Sequence, residues 1–137
     1  MQETHRAYQR ERDVAVTLIN MVGVHQQLCE WQQALAIYAT ARDILERIGA
    51  QSPLATLFNN LAEIFHETDH PDQTKNYLDM ALEIHQAQNN LEGQAKSLNN
   101  IAVQILKNDP HRAGDYLRQA LSIGEKIQDR DGQATYL

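Results

Sequence analysis

Apolar residues recur along the chain at the spacing of a helix surface. Leu98, Ile101, Ala102 and Ile105 stand at positions i, i+3, i+4 and i+7, which places them on one face of a helix and does not fit the alternation of a strand. Other segments, such as the one around Tyr38, are apolar over a broader arc, which suits a helix that is packed on two sides. Six full helices are therefore predicted, with single-faced ones at 14–28, 53–68 and 93–107 and broad-faced ones at 31–48, 71–89 and 110–128.

The stretch around Asn100 recurs twice upstream at intervals of forty residues. Asn20, Asn60 and Asn100 occupy the same place in the three copies. A fixed period of this length is typical of a solenoid, in which each unit buries one face against its neighbours. The predicted repeats, each a pair of helices, span 14–50, 53–90 and 93–129.

Both ends of the chain carry parts of further repeats. Residues 1–12 align, after a shift of eighty, with the end of a second helix, and residues 132–137 repeat the segment 93–98. We therefore expect a single array over 1–137 with about seven to eight helices, in which 1–12 is the tail of a preceding repeat and 131–137 the start of a further one. The pattern favours an excerpt from a longer array.

Turn residues support these boundaries. Ser52 and Asp109 each precede a proline and are expected to cap the N-terminus of the following helix, and Gly49 is expected at a left-handed C-cap. The offset between residues 71–95 and 110–134 is 39 rather than 40, so one residue has been lost from the turn before Pro110.

The pattern resembles the tetratricopeptide repeat. Each first helix carries a large residue, a large–small pair and a further large residue, and each second helix carries small residues where two backbones approach closely. The positions are Leu18, Met21, Val22 and His25; Phe58, Leu61, Ala62 and Phe65; Leu98, Ile101, Ala102 and Ile105; then Ala34, Tyr38 and Ala41; Thr74, Leu78 and Ala81; Ala113, Leu117 and Ala120. Val22, His25, Thr74 and Leu78 depart from the usual residue types.

The longer period of forty, against about 34 in the usual repeat, is similar to arrays in kinesin light chains, spindle-orientation adaptors, bacterial signalling ATPases and transcription regulators. The resemblance implies an all-α, right-handed superhelical solenoid of antiparallel helix hairpins. It also implies a cytoplasmic interaction module for a peptide or protein partner, without catalytic activity or cofactor.

Stacked first helices would line the concave face of such a solenoid. An asparagine amide offers both a donor and an acceptor, so it can pair with the main chain of a peptide, and the resemblance implies this role for asparagine here. The alternative is that these asparagines only solvate the helix surface or bond to a neighbouring repeat. The predicted contact residues are Asn20, Gln27, Thr56, Asn60, Glu63, Lys96, Asn100 and Lys107.

The charges on this face allow two interpretations. Glu63 and Glu67 are expected to pair with Lys96 and Lys107 across adjacent helices, and direct contact with a ligand is the alternative. The carboxylate clamp of chaperone-tail-binding members is incomplete, because Val16 stands where a lysine is required. We do not expect a chaperone-tail ligand.

Composition narrows the class of partner. The net charge of −6, with no clustered Lys or Arg, argues against nucleic acid. No apolar run approaches the ~20 residues of a membrane span, and the polar segment 1–12 does not resemble a signal peptide. A single cysteine, Cys29, fits a reducing compartment.

The segment His66-Glu67-Thr68-Asp69-His70 matches the literal zinc-protease signature. Both histidines would have to lie on one helix, but Pro71 marks the start of a new helix, so a zinc hydrolase is only a remote alternative and no metal site is predicted. A further alternative to groove binding is self-association, in which apolar edges at 1–18 and 130–137 pack on other repeats or on a second copy as a homo-dimer.

Overall fold

The computed structural model of the protein is all-helical and describes the backbone of residues 2–136 and the side chains of residues 4–130. Over those residues it contains six helices and no strand. They are α1 (Gln2–Gln27), α2 (Trp31–Ile48), α3 (Gln51–Glu67), α4 (Pro71–Ala87), α5 (Leu91–Ile105) and α6 (Pro110–Tyr136). Helices α1/α2, α3/α4 and α5/α6 form three hairpins, which stack through contacts of α2 with α3 and of α4 with α5. The predicted solenoid of helix hairpins is confirmed.

The described part of the chain has six helices, slightly fewer than the expected seven to eight, because the first and last helices continue through the expected breaks. Gly49 and Asn89 follow α2 and α4 with φ of 70° and 54°. The equivalent position in α1, forty residues before Gly49, is Gln9. Glutamine suits a helix interior, and the Gln9 side chain donates a hydrogen bond to Asp13 one turn later (3.0 Å). Helix α1 is therefore continuous, and the division of the chain into repeats stays a prediction.

Two of the predicted caps are confirmed and one is wrong. Gly49 takes the left-handed conformation at the end of α2, and the Asp109 carboxylate accepts a hydrogen bond from the Arg112 backbone N–H (3.2 Å). Ser52, however, lies inside the first turn of α3, which begins at Gln51. The backbone N–H groups of Gly49 and Ala50 donate to carbonyls in the last turn of α2, and this places Ala50 directly at the N-cap of α3. Helix α3 therefore starts before Ser52.

The missing residue before Pro110 changes the turn that precedes it. The turns inside the first two hairpins contain a residue with positive φ, Cys29 in one and Asp69 in the other. In the third, the backbone N–H groups of Asn108 and Asp109 both donate to the carbonyl of Ile105, at 3.0 and 2.7 Å. This turn closes without a positive φ.

The core is continuous across the hairpins. One cluster runs from α1 to α4 and contains fully buried Tyr38, Leu45, Leu57 and Ile64. A second cluster joins Ala62, Leu78 and Ile101 from three successive helices. Each such large side chain contributes about 1.5–3 kcal/mol through burial, which fixes the stacking of the hairpins.

In each hairpin, a polar side-chain contact joins the two helices at a point far from the turn between them. Arg47 donates to Glu11 (2.9 Å), Ser52 to Gln88 (3.3 Å) and Arg130 to Glu92 (2.7 Å). Exposed pairs of this kind contribute about 0–1 kcal/mol. They align each hairpin, while the apolar core supplies its stability.

Candidate peptide-binding groove

Two neighbouring cavities lie between the first helices of the three hairpins. The first, of about 600 Å³, lies between α1 and α3. The second, of about 400 Å³, lies between α3 and α5. Asn60, Glu63 and Glu67 line both cavities, so the two form one continuous surface, which we call the groove.

Six of the eight predicted contact residues line the groove. Asn20 and Gln27 join Asn60 and Glu63 around the first cavity, and Lys96 and Asn100 join them around the second. The three repeat asparagines therefore lie along one surface because α1, α3 and α5 stack in register.

Thr56 and Lys107 do not line the groove. Thr56 precedes Asn60 by one turn, and its hydroxyl donates to the carbonyl of Ser52 (3.4 Å). Lys107 follows the end of α5 and lines a third cavity, of about 430 Å³, beside the turns that precede α4 and α6. This cavity shares His66 and Gln104 with the second one. His70 lines the third cavity as well.

Tyr38 of α2 reaches the first cavity from the core. Its side chain is buried, yet it lines the cavity with Asn60 and Glu63. Burial raises the pKa of Tyr38 to about 12; the Asn60 amide opposes this increase, and the Glu63 carboxylate adds to it. The phenol is therefore a neutral hydroxyl at the floor of the groove.

The expected ion pairs across the groove are not formed. Within residues 4–130, neither Glu63 nor Glu67 makes a salt bridge with Lys96 or Lys107. Glu67 instead accepts a hydrogen bond from Gln26 of α1 (3.3 Å). The physical reason is that the second cavity separates α3 from α5 at this level, so the charges of Glu63 and Lys96 lie across open space.

The charge of Lys96 affects the pKa of His85, a residue at the junction of α4 and α5. The pKa of His85 in α4 is lowered, first by burial of the ring and then by the positive charge of Lys96. The histidine is thus held as a neutral ring next to the N-terminus of α5, where its Nδ1 lies 3.4 Å from Nδ2 of Asn90.

Sequence analysis missed Asn59, which lines the second cavity beside Leu78. Its Oδ1 atom is buried and has no hydrogen-bond partner among the described residues. A buried acceptor without a partner costs about 1–3 kcal/mol, which a donor on a bound ligand would recover. The only signal in the sequence was its position next to Asn60, and consecutive residues of a helix point about 100° apart.

The zinc-protease signature is divided between two elements, as expected from Pro71. Helix α3 ends at Glu67, so His66 lies in its last turn, whereas His70 lies beyond the turn at the N-cap of α4. The Nδ1 atom of His70 lies 3.0 Å from the Thr68 hydroxyl. Among the described residues, no group of three His, Cys, Asp or Glu side chains is placed to hold a metal ion.

Cys29 lies at the edge of the first cavity and is exposed. It occupies the left-handed region with φ of 58°. None of the described helices contains an apolar segment long enough to cross a membrane.

Comparisons with known proteins agree with this architecture. The crystal structure of BtubC (BKLC) from P. vanneervenii matches the chain with a TM-score of 0.78 and 20% sequence identity, over 86% of this chain and 50% of that one. The chain thus spans about half the length of that protein, and at this identity the similarity concerns the fold alone. A comparison with curated protein sequences gave no match.

The sequence profile of the tetratricopeptide repeat matches residues 13–87, which is more than half of the 137 residues. The matched range runs from α1 to the end of α4 and includes Asn20 and Asn60. This chain belongs to the tetratricopeptide repeat family.

Proposed function

We propose that the chain is a non-catalytic interaction module that binds an extended segment of a partner protein in the groove. The observation that carries the proposal is the placement of Asn20, Asn60 and Asn100 along two cavities that share Asn60. One amide from each hairpin faces the same surface. A cytoplasmic location accords with the exposed free thiol of Cys29.

An extended peptide matches the chemistry of these amides. A strand-like segment presents carbonyl and N–H groups along its length, and each asparagine can donate to one and accept from the other. The orphaned Oδ1 of Asn59 supplies a further acceptor at the second cavity. Main-chain recognition of this kind holds a segment without dictating most of its side chains.

The charged side chains of the groove favour some peptide segments over others. Glu63 and Glu67 line both cavities and have no basic partner within residues 4–130. Lys96 is the one lysine of the second cavity's described lining. A segment with a Lys or Arg where it crosses α3 would therefore bind better than an acidic one, and its affinity would fall with rising salt.

The test uses peptides selected on the wild-type chain from a random peptide display library. Their affinity is then measured by fluorescence anisotropy for the wild type and for the double variant Asn60→Ala, Asn100→Ala. Each lost hydrogen bond is worth about 0.5–1.5 kcal/mol, so the double variant should bind about tenfold more weakly or worse. Circular dichroism should show unchanged helicity.

Asn99→Ala is the matched control, because Asn99 is exposed on α5 and does not line the groove. It should bind the selected peptides like the wild type. If the double variant also binds like the wild type, the asparagines do not hold the peptide and the groove proposal is wrong. Glu63→Gln tests the charge preference separately, because it should weaken basic peptides and leave neutral ones unchanged.

A further inference from the structure

The two cavities of the groove are copies of one site, forty residues apart in the sequence. Asn20 and Asn60 line the first cavity, and their counterparts forty residues later, Asn60 and Asn100, line the second. Tyr38 of α2 and Leu78 of α4 are counterparts in the same way. The two cavities therefore differ through the positions at which the residue type changes.

Polar and apolar residues exchange places between the two copies. The first cavity is lined by Ile19 of α1 and by Tyr38 of α2, whose hydroxyl is polar. In the second cavity, Asn59 of α3 takes the place of Ile19, and Leu78 of α4 takes the place of Tyr38. The polar group thus comes from a second helix in the first cavity and from a first helix in the second cavity.

The polar group of the first cavity has a partner within the protein. Burial raises the pKa of Tyr38 to about 12, and a hydrogen bond with the Asn60 side chain opposes this increase. A hydrogen bond that lowers the pKa of an acid favours its charged form, so the Asn60 amide donates and the phenol oxygen accepts. The phenol is therefore paired without a ligand.

The polar group of the second cavity has no such partner. Oδ1 of Asn59 is buried and accepts no hydrogen bond from a described residue. The place of the phenol is taken by Leu78, which has no hydrogen-bonding group. A buried acceptor without a donor is unfavourable, so a donor on a bound segment would improve binding at this cavity.

The Asn59 amide calls for a partner that both donates and accepts. Its nitrogen, like Oδ1, makes no hydrogen bond with a described residue. Lysine and arginine side chains offer donors only, and ionised acids offer acceptors only. A hydroxyl offers both functions on one atom, whereas a primary amide offers them side by side, as Asn59 itself does. A primary amide is therefore the complementary group.

The apolar residues of the second cavity favour glutamine over asparagine as the source of that amide. Leu78 and Ala62 line the cavity together with Asn59 and are 2% and 1% exposed. Glutamine carries one more methylene group than asparagine, and burying this group on Leu78 and Ala62 is favourable. The cavity, of about 400 Å³, has room for the side chain, since a cavity of about 150 Å³ already holds benzene.

We propose that the second cavity holds a glutamine side chain of the bound segment, with its methylene groups on Leu78 and its amide paired with Asn59. This assignment rests on the proposed function of the groove and names the side chain that one of its two cavities recognises. The repeat asparagines pair with the main chain of the segment. A basic residue of the segment makes a separate contact with Glu63 and Glu67, which are exposed.

A double-mutant cycle between the chain and a bound peptide tests this assignment. Peptides are taken from the random display library if they bind the Asn60→Ala, Asn100→Ala variant more weakly than the wild type, and their sequences should share a glutamine at one position. In one such peptide, this glutamine is replaced by methionine, which has a similar shape and no amide. Fluorescence anisotropy then gives the affinities of both peptides for the wild type and for Asn59→Leu. The replacement should weaken binding to the wild type by about tenfold, and binding to Asn59→Leu by less than about twofold.

Asn99→Leu is the matched control, because Asn99 is the counterpart of Asn59 forty residues later but is exposed and lines neither cavity. It should retain the full difference in affinity between the two peptides. Asn59→Leu should also raise the urea midpoint of the free chain, because an unpaired buried acceptor is removed. Its effect on the peptide would then not be a loss of fold.

Two results would overturn the assignment of glutamine. One is a set of selected peptides without a shared glutamine, and the other is an equal effect of the methionine replacement on the wild type and on Asn59→Leu. In both cases the groove proposal stands, because the selected peptides still depend on Asn60 and Asn100. If no selected peptide depends on those two residues, both proposals are wrong.

Discussion

The junction between the second and third hairpins depends on the absence of a side chain at Gly93. This residue lies in the first turn of α5, where its N–H donates to the N-cap side chain of Asn90 (3.0 Å). The ring of His85, from α4, packs against its Cα. A Cβ atom added at Gly93 would lie 2.6 Å from both Cγ and Cε1 of that ring, whereas carbon atoms in contact lie about 3.5–4.0 Å apart.

We expect Gly93→Ala to destabilise the protein by about 1–2 kcal/mol. The overlap of roughly 1 Å must be relieved by moving the ring, and overpacking of this kind costs about 1–3 kcal/mol. Replacing a helical glycine by alanine returns up to about 1 kcal/mol. Displacing the ring also removes its contact with Asn90. The assay is urea denaturation followed by circular dichroism, in which the midpoint should fall while the slope is unchanged.

Gly124→Ala in α6 is the matched control, because a Cβ there meets no atom within 4 Å. It should stabilise the protein by about 0.5–1 kcal/mol through helix propensity alone. His85→Ala removes the obstructing ring, so Gly93→Ala should become neutral or stabilising in that background. If Gly93→Ala raises stability as much as Gly124→Ala, or if the effects of the substitutions at 85 and 93 simply add, the reasoning about this junction is wrong.

Two further predictions concern buried polar groups. The Ser97 hydroxyl is buried and has no hydrogen-bond partner among the described residues, so Ser97→Ala should raise the free energy of unfolding by about 1 kcal/mol or more. Ser122→Ala, at an exposed site in α6, should change it by no more than about 0.5 kcal/mol. Equal effects of the two substitutions in urea denaturation would contradict this. The raised pKa of Tyr38, about 12 against the usual 10.0, means that the folded chain holds this proton more tightly than the unfolded chain. Stability should therefore be lost as pH rises above 10, by on the order of 2–3 kcal/mol near pH 12. Unfolding of Tyr38→Phe, followed in parallel over this pH range, should lack that part of the loss; parallel pH profiles for the two proteins would contradict the assignment.

The sequence by itself determined the repeat, the helices and most of the groove. Periodic apolar positions and prolines at helix starts are local signals, which is why the starts of α2, α4 and α6 fall at Trp31, Pro71 and Pro110 as predicted. The left-handed cap at Gly49 is equally local, because only the conformation of one residue is involved. The recurrence of asparagine at one helix position was sufficient to place Asn20, Asn60 and Asn100 on one surface once the hairpins stack in register.

Features that depend on the distance between segments were decided by the tertiary structure alone. Glu63 and Lys96 were expected to pair, but the gap between α3 and α5 keeps them apart, and no sequence spacing encodes that gap. The burial of the Asn59 oxygen depends likewise on how neighbouring helices cover it. Met21 is exposed whereas its counterpart Ile101 is completely buried, and this difference also depends on which helices pack against each residue. Identical positions in a repeat are apolar for the same reason, but only the neighbour that packs on each one decides whether it is core or surface.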